Sequence, residues 1–317
     1  HYSLNEKEVF ARTVLDNFKK EYQSGRTPNP CYRCNQWIKF DYVYNWAREL
    51  DFDLIATGHY AQIVEKNGHK LLKRGVDRGK DQTYFLASMN PEVLPHLLFP
   101  LGRMTKPEVR KEAERFGLIT ADKVESQELC FAHDLDYRNA LEAGTPGKIV
   151  STQGEALADH EGITHFTVGQ RKGIGLSGGP FYVIRLDPRT NEVVVGGEED
   201  LLASEVEVDE LNCFRPLKVG ERLIGMPRYR HGGAELEVLE VGQDRALVRY
   251  LEPERALTPG QVLAMYDGNC LVAGSVIQRV VEPAGGGGGI DRTVSFIPET
   301  RDSSHRSPGN RNPSRFG

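Results

Sequence analysis

The chain has 317 residues, of which 39% are hydrophobic and 27% charged, and its formal net charge is −5. This length gives room for two or three domains, each with its own core, and the composition is typical of a soluble globular protein. No run of about eighteen apolar residues occurs, so we expect no membrane-spanning segment. The five cysteines are too few and too unevenly spaced for a disulfide framework, which favours a reducing, cytoplasmic location.

The first third of the chain predicts helices combined with a parallel strand. Apolar residues recur at helical spacing over residues 6–22, 40–50 and 106–116. The continuously apolar run 54–59 predicts a buried parallel strand that ends at Gly58. The pair Asn67-Gly68 predicts a hairpin between segments 62–65 and 70–74. This part is therefore predicted to be an α/β domain.

Beyond residue 140 the pattern changes to short strands separated by glycine. Strands are predicted at 147–150, 165–168, 181–186, 193–195, 235–239 and 246–250, and the last two alternate in polarity as in a small barrel. The glycine run 285–289 and the polar residues after it are predicted to be disordered. We expect domain boundaries at 1–138, 139–203 and 204–283, followed by a Gly-rich tail at 284–317.

Cys31 and Cys34 stand in the stretch Thr-Pro-Asn-Pro-Cys-Tyr-Arg-Cys. Because Pro28 and Pro30 disfavour helix before them, we expect residues 27–34 to form a stiff extended loop that presents both thiols. The Cys-x-x-Cys spacing suits a redox pair, two metal ligands, or one working thiol with a neighbour.

Cys130 is the thiol that we expect to reach this loop from elsewhere in the chain. Two thiols distant in sequence and close in space suit persulfide transfer, which ends in a disulfide between them. A zinc site that includes His133 is disfavoured, because structural zinc ligands are usually closely spaced. An iron–sulfur cluster with Cys31, Cys34 and Cys130 as ligands stays open as an alternative. Two further cysteines, Cys213 and Cys270, are expected to be buried and inert.

Six motifs occur in a characteristic order along the chain. They are Thr-Pro-Asn-Pro-Cys-x-x-Cys-Asn-x-x-Ile-Lys-Phe at 27–40, Ala-Thr-Gly-His-Tyr at 56–60, Lys-Asp-Gln-x-Tyr-Phe-Leu at 80–86, Ser-Gln-x-x-Cys-Phe at 126–131, Gly-Gln-Arg-Lys-Gly at 169–173 and Pro-Gly-Gln at 259–261. In this order they resemble the bacterial tRNA-specific 2-thiouridylases. The resemblance covers residues 1 to about 283.

The resemblance implies a Rossmann-like, PP-loop ATPase domain, a small β-rich central domain that binds tRNA, and a C-terminal β-barrel. It implies an enzyme that uses ATP with Mg²⁺ to adenylate the C2 oxygen of the wobble uridine in the Lys, Glu and Gln tRNAs. Sulfur then replaces that oxygen, relayed as a persulfide from a donor protein such as a cysteine desulfurase. Similar enzymes lead us to expect a monomer.

Matching positions imply roles for individual residues. Cys34 resembles the nucleophile of the family and Cys130 its persulfide carrier, with a transient disulfide between them. Gly58 resembles an ATP-contacting glycine. Asn29, Pro30 and Cys31 resemble the segment that contacts the target base. The other tRNA-side matches are His59, Lys80, Asp81, Gln82, Arg228, Tyr229 and Gln261.

Two departures from the family pattern limit this transfer. Some members carry Asp where this chain has Cys31, so a proton-transfer role for that Asp does not carry over. The Ser-Gly-Gly-x-Asp-Ser pyrophosphate loop of the family does not occur in these 317 residues. In the family this loop belongs to an N-terminal strand–loop–helix unit whose glycine-rich amides hold the ATP phosphates, so we expect a Rossmann-like domain that lacks its first strands. A catalytically inactive, tRNA-binding fragment is the alternative.

We therefore predict that the 317-residue chain shows no measurable ATP–pyrophosphate exchange, because amide and cation contacts to the phosphates supply most triphosphate affinity. A chain extended upstream to include the pyrophosphate loop should show exchange. Equal exchange by both would contradict this view of where ATP binds.

Overall fold

A computed structural model of the chain describes residues 2–119, Cys130 and residues 144–281. The predicted disordered stretch at 285–289 and the neighbours of Cys130 in its motif lie outside the described residues. Within those residues, no helix is both long and apolar enough to cross a membrane.

Helix α1 confirms the first helical prediction. It runs through Lys7–Phe10, Ala11–Leu15 and Asp16–Gln23, and its middle part is π-helical. Gly25 follows with a φ of 67°, and its N–H bonds to the carbonyl of Tyr22. A left-handed glycine at this place ends the helix and turns the chain toward the cysteines.

Helix α2 corrects the prediction of an extended loop at residues 27–34. It runs through Pro30–Arg33, the π-helical Cys34–Tyr42 and Val43–Glu49. The proline that was expected to exclude helix occupies the first helical position, where its missing N–H costs nothing and its fixed φ suits the turn. The Asn29 side chain caps this turn by accepting a hydrogen bond from the N–H of Tyr32 at 3.1 Å. Both cysteines therefore lie on a helix.

The predicted parallel strand exists but is short and partly exposed. Strand β1 (Ile55–Ala56) pairs in parallel with β4 (Leu97–Leu98). Leu54 and Leu98 are 52% and 47% exposed, so the prediction of a buried strand is wrong. Among the described residues only these two short strands form the sheet, and this leaves part of their surface uncovered.

The predicted hairpin and third helix are confirmed. Strands β2 (Ala61–Lys66) and β3 (His69–Arg74) are antiparallel, and Asn67 and Gly68 both have positive φ, as a two-residue hairpin turn requires. Helix α3 (Lys106–Arg115) begins with a capping box between Thr105 and Glu108. Short 3₁₀ turns connect these elements at Thr83–Leu86, Pro91–His96 and Pro100–Arg103.

The central part forms a four-stranded sheet in the order β6, β5, β8, β7. Its strands are β5 (Gly147–Ser151), β6 (Ala156–His160), β7 (Tyr182–Asp187) and β8 (Glu192–Gly196). The sequence patterns did not predict β6. The strand predicted at 165–168 does not form in this described stretch, because Ile163–His165 is a 3₁₀ turn that buries Ile163 and Phe166 instead.

Six strands close a barrel, as the alternating pattern predicted. They are β9 (Leu202–Cys213), β10 (Arg222–Met226), β11 (Ala234–Val241), β12 (Ala246–Arg255), β13 (Val262–Asp267) and β14 (Cys270–Val281). Pairing follows the order β13, β10, β11, β12, β9, β14, and β14 returns to β13 to close the ring. Closure leaves no free sheet edge within the ring of these described strands.

The barrel and the first part of the chain share one core. Strand β3 pairs with the start of β14, so the hairpin extends the barrel sheet. Tyr32 and Tyr84 from the first part are almost fully buried in the same cluster as Val262 and Tyr266 of the barrel. Full burial of each large side chain contributes roughly 1.5–3 kcal/mol, so the two parts stabilise one another.

Gly260, in the turn before β13, packs closely against the backbone of Thr27, just before the two cysteines. Its φ is 89°, and a Cβ there would lie 2.8 Å from the Thr27 nitrogen and 2.9 Å from its oxygen. We predict that Gly260→Ala destabilises the protein by about 3 kcal/mol, because it combines left-handed strain with a clash against backbone.

Gly268→Ala is the matched control for this prediction. Gly268 also has a positive φ, 58°, but no atom of the described residues lies within 4 Å of the point that a Cβ would occupy. Thermal unfolding should show a shift several degrees larger for Gly260→Ala than for Gly268→Ala. Equal shifts would mean that the backbone approach at Thr27 is not a constraint.

Candidate active site

The first turns of α2 carry both cysteines of the predicted site. Cys31 and Cys34 are half-buried, and the Asn35 amide donates to the Cys31 carbonyl at 2.9 Å. The Asn35 Oδ1 atom is buried and accepts no hydrogen bond from the described residues. Cys34 opens the nine-residue π-helical segment, and π-helical turns are rare and frequent at functional sites.

Cys130 belongs to the same electrostatic site although it is distant in sequence. Burial raises the pKa of the Cys31 thiol most, and the charges of Cys130 and Cys34 raise it further. Burial also raises the pKa of Cys34; the charge of Lys39 lowers it and that of Cys130 raises it. Cys130 itself is exposed, and all five cysteines are free thiols in this structure.

The charge of Lys39 acts on both thiols, and Lys39 in turn contacts His59. The Lys39 Nζ atom is 3.5 Å from the Nε2 atom of His59, and the His59 Nδ1 atom is 2.8 Å from Oγ1 of Thr57. His59 is 7% exposed and its ring packs between Phe40 and Phe99. Both ring nitrogens are therefore engaged inside the protein, which leaves little of this predicted tRNA-side residue open to RNA.

Gly58, the predicted ATP contact, has an exposed backbone that a nucleotide could approach. It is exposed just beyond β1, and among the described residues a Cβ there would meet only Leu101, at 3.5 Å, so a ligand has access to the backbone. No glycine-rich loop that leads into a helix start accompanies it in the described part of the chain. These residues thus fit one edge of a nucleotide and supply no cradle for its phosphates.

Arg33, between the two cysteines, is bound to the barrel. Its guanidinium donates two hydrogen bonds to the carboxylate of Glu210 in β9, at 2.5 and 2.6 Å. It lies 4.9 Å from the centre of the Trp37 ring and is 6% exposed. Burial opposes its charge, but the hydrogen bonds and charge of Glu210 outweigh burial and raise the pKa of Arg33 above its ordinary value.

In the segment Lys80–Gln82, the side chains of Asp81 and Gln82 form hydrogen bonds within the protein. Asp81 is buried and accepts hydrogen bonds from the Gly75 N–H and from Thr83. The Gln82 side chain accepts from the N–H of Tyr60. Asp81 therefore does not offer its carboxylate to RNA, and of the three predicted contacts Lys80 is the one whose cation suits a phosphate.

Arg228 and Tyr229 of the barrel meet the same segment. The Tyr229 ring lies 4.3 Å from the ring of Phe85, which directly follows Tyr84 in the Lys80 motif. Arg228 donates to the carbonyl of Arg255 at 3.1 Å. The structure thus brings together two predicted tRNA-side segments that are far apart in sequence.

Gln261 joins the barrel to the chain just before the cysteines. Its amide donates to the Thr27 carbonyl at 3.0 Å, and the Thr27 N–H donates to the carbonyl of Pro259 at 2.9 Å. Pro30 is buried and Asn29 caps the helix. The predicted tRNA-side residue Gln261 therefore also fixes the path of the cysteine segment.

The iron–sulfur alternative receives no support from the geometry. Over residues 2–119, Cys130 and 144–281, no group of three or more His, Cys, Asp or Glu side chains is arranged to hold a metal ion. Cys213 and Cys270, which were predicted to be buried, are half-buried, and burial raises the pKa of Cys213.

Three family models match the chain in succession. They are the tRNA methyl transferase HUP domain over residues 1–134, the tRNA methyl transferase PRC-barrel domain over 138–197, and the aminomethyltransferase beta-barrel domain over 204–277. HUP domains are Rossmann-like, which agrees with the predicted fold class at that level.

Curated relatives match most of the chain. The tRNA-specific 2-thiouridylase MnmA of Carboxydothermus hydrogenoformans is 43% identical over 289 residues, which are 88% of this chain and 79% of the relative. Those of Geobacter metallireducens and Acetivibrio thermocellus are 46% and 42% identical, over 88% of this chain and 78% and 80% of their own lengths. The chain belongs to the tRNA-specific 2-thiouridylase family.

Several residues of this 2-thiouridylase site were not predicted from the sequence. Arg33 occupies a spacer position of the cysteine motif and Lys39 is one of its named residues, but the sequence analysis predicts no role for either. Glu210 lies in a strand that shows no site motif, and no local signal identifies it. A charged residue between two functional cysteines was the one signal that pointed to Arg33.

Proposed function

We propose that this 2-thiouridylase transfers sulfur to C2 of the wobble uridine in tRNA, with Cys34 as nucleophile and Cys130 as persulfide carrier. The observation that carries the proposal is the 43% identity to a curated tRNA-specific 2-thiouridylase, and the effect of the Cys130 charge on the pKa values of Cys31 and Cys34 agrees with it. Thiols on separate segments that meet at one site suit sulfur transfer better than a local redox pair does.

The proposed sulfur transfer consists of two successive displacement reactions. The outer sulfur of the Cys130 persulfide attacks C2, and the former C2 oxygen leaves with its activating group. The Cys34 thiolate then attacks Sγ of Cys130, and the electron pair of the broken S–S bond stays on the sulfur now bound to C2. A disulfide between Cys34 and Cys130 remains, and a thiol reductant must supply two electrons to reopen it.

ATP with Mg²⁺ is the proposed source of the activating group, and Gly58 is the described residue that would contact the nucleotide. Asn29, Pro30 and Cys31 are the proposed contacts of the target base, since they form the helix turn that carries Cys34. A base must leave its stack to reach such a turn. The sulfur itself is proposed to come from a donor protein such as a cysteine desulfurase.

A persulfide experiment tests the thiol roles without ATP or tRNA. Inorganic polysulfide loads sulfur onto Cys130; attack of Cys34 on Sγ of Cys130 then expels the outer sulfur as hydrosulfide and forms the disulfide. We predict about one equivalent of sulfide and a Cys34–Cys130 disulfide, detected by peptide mass spectrometry. Cys34→Ser should keep the persulfide and release almost no sulfide.

Cys213→Ser is the matched control, since that thiol lies in β9 with no site motif and should leave both readouts unchanged. A dominant Cys31–Cys34 disulfide, or sulfide release that persists in Cys34→Ser, would contradict the roles proposed for these thiols.

We also propose that tRNA lies along the surface formed by the Lys80 motif and by the segment that carries Arg228 and Tyr229. The aromatic contact between Phe85 and Tyr229 holds the two segments together, which supports assigning them to one binding surface. Such a surface would bind the phosphate backbone through cations.

For this surface, Lys80→Ala and Arg228→Ala should each weaken tRNA binding. The slope of log affinity against log salt should flatten by about one unit for each lost phosphate contact. Arg245→Ala, at an exposed cation in the turn before β12, is the control and should change neither. Unchanged affinity and slope in the first two variants would place the tRNA surface elsewhere.

A further inference from the structure

The raised pKa values of Cys31 and Cys34 disfavour the thiolate form that sulfur transfer requires. Burial makes a charged sulfur costly at both positions, and a neighbouring anionic sulfur on Cys130 adds to that cost. A cation held close to the thiols would offset it. Lys39 is that cation, because its charge is the one that lowers the pKa of both Cys31 and Cys34.

The position of Lys39 follows from the helix that carries it. Cys34 and Lys39 lie five residues apart in the segment Cys34–Tyr42, which is π-helical. In a π-helix the hydrogen bonds join residues five apart, so residues at this spacing lie on one face. The rare helix type therefore puts Lys39 on the same face of the helix as Cys34.

His59 accepts a hydrogen bond from the ammonium group of Lys39 and so holds it in place. An ammonium can only donate, so the Nε2 atom of His59, 3.5 Å away, is the acceptor. The proton of a neutral His59 ring is then on Nδ1, which donates to Oγ1 of Thr57 at 2.8 Å. Burial and the charge of Lys39 lower the pKa of His59 to about 4, so the ring is neutral and Lys39 carries the charge.

We propose that Lys39 stabilises negatively charged sulfur at Cys34, and that His59 is the positioning residue that holds its ammonium group in place. This assignment rests on the proposed function, because it takes Cys34 as the reacting thiol, and it adds the group that stabilises the charge on that thiol. It also gives the buried ring of His59 a role that needs no direct contact with tRNA.

The test measures how fast iodoacetamide alkylates Cys34 as a function of pH, by peptide mass spectrometry. Lys39→Met should raise the pH midpoint of the reaction and slow it at pH 7 by about tenfold, the effect of one pKa unit. Lys39→Arg keeps the charge and should stay within about threefold of the unsubstituted chain. Lys20→Met, at an exposed lysine of α1, is the control.

His59→Phe should give a smaller slowing than Lys39→Met, because it keeps the ammonium group but removes its acceptor. If Lys39→Met reacts with the unsubstituted rate and midpoint, or if Lys39→Arg is as slow as Lys39→Met, the proposal is wrong. Since alkylation needs neither ATP, tRNA nor a persulfide, its outcome is independent of the sulfide-release test of the proposed function.

A measurement on the unsubstituted chain covers the case in which a variant fails to fold. Nitrogen NMR of labelled histidine distinguishes the two neutral tautomers. The arrangement requires His59 to be neutral with its proton on Nδ1 at pH 7. A proton on Nε2, or a charged ring, would overturn it.

Discussion

The ion pair between Arg33 and Glu210 is the constraint on which the site depends. Arg33 lies between the two cysteines of α2 and is 6% exposed, and a buried guanidinium without a partner is strongly destabilising. Its partner is in the barrel, where Glu210 has a φ of 50°, unusual for glutamate. The β9 ladder to β14 shifts register nearby, between Asp209 and Asn212, and such bulges redirect a side chain.

Other contacts between the barrel and the first part of the chain also hold the cysteine segment in place. The N–H and the carbonyl of Thr27 both form hydrogen bonds with the turn Pro259–Gln261. The Tyr84 hydroxyl donates to the Val262 carbonyl. The barrel therefore fixes the path of the segment that carries both thiols.

Local sequence rules predicted much of this fold, and they failed where distant segments meet. Asn67-Gly68 specified its hairpin, and the alternation in 235–250 specified barrel strands. The prolines around Asn29 were read as helix-breaking, whereas Pro30 starts α2 because Asn29 caps it. The pairing of Arg33 with Glu210 joins residues 177 apart, and no periodicity reports such a contact.

The same distinction applies to the site. Motif order predicted the site cysteines and the tRNA-side segments, and the structure brings several of these segments together where the first part of the chain meets the barrel. It could not show that Asp81 and Gln82 use their side chains to hold the turn that presents Lys80, since burial arises only in the folded chain. Nor could it show that both ring nitrogens of His59 are occupied.

Hydrogen exchange in a Glu210→Gln variant tests the central claim most directly, because it reports local opening. Amides of residues 31–42 should exchange about 30-fold faster, equivalent to about 2 kcal/mol, while those of α3 stay unchanged. Adding Arg33→Met should reverse most of this acceleration, since no buried charge then lacks its partner. Unchanged exchange in 31–42, or equal acceleration throughout the chain, would contradict the account.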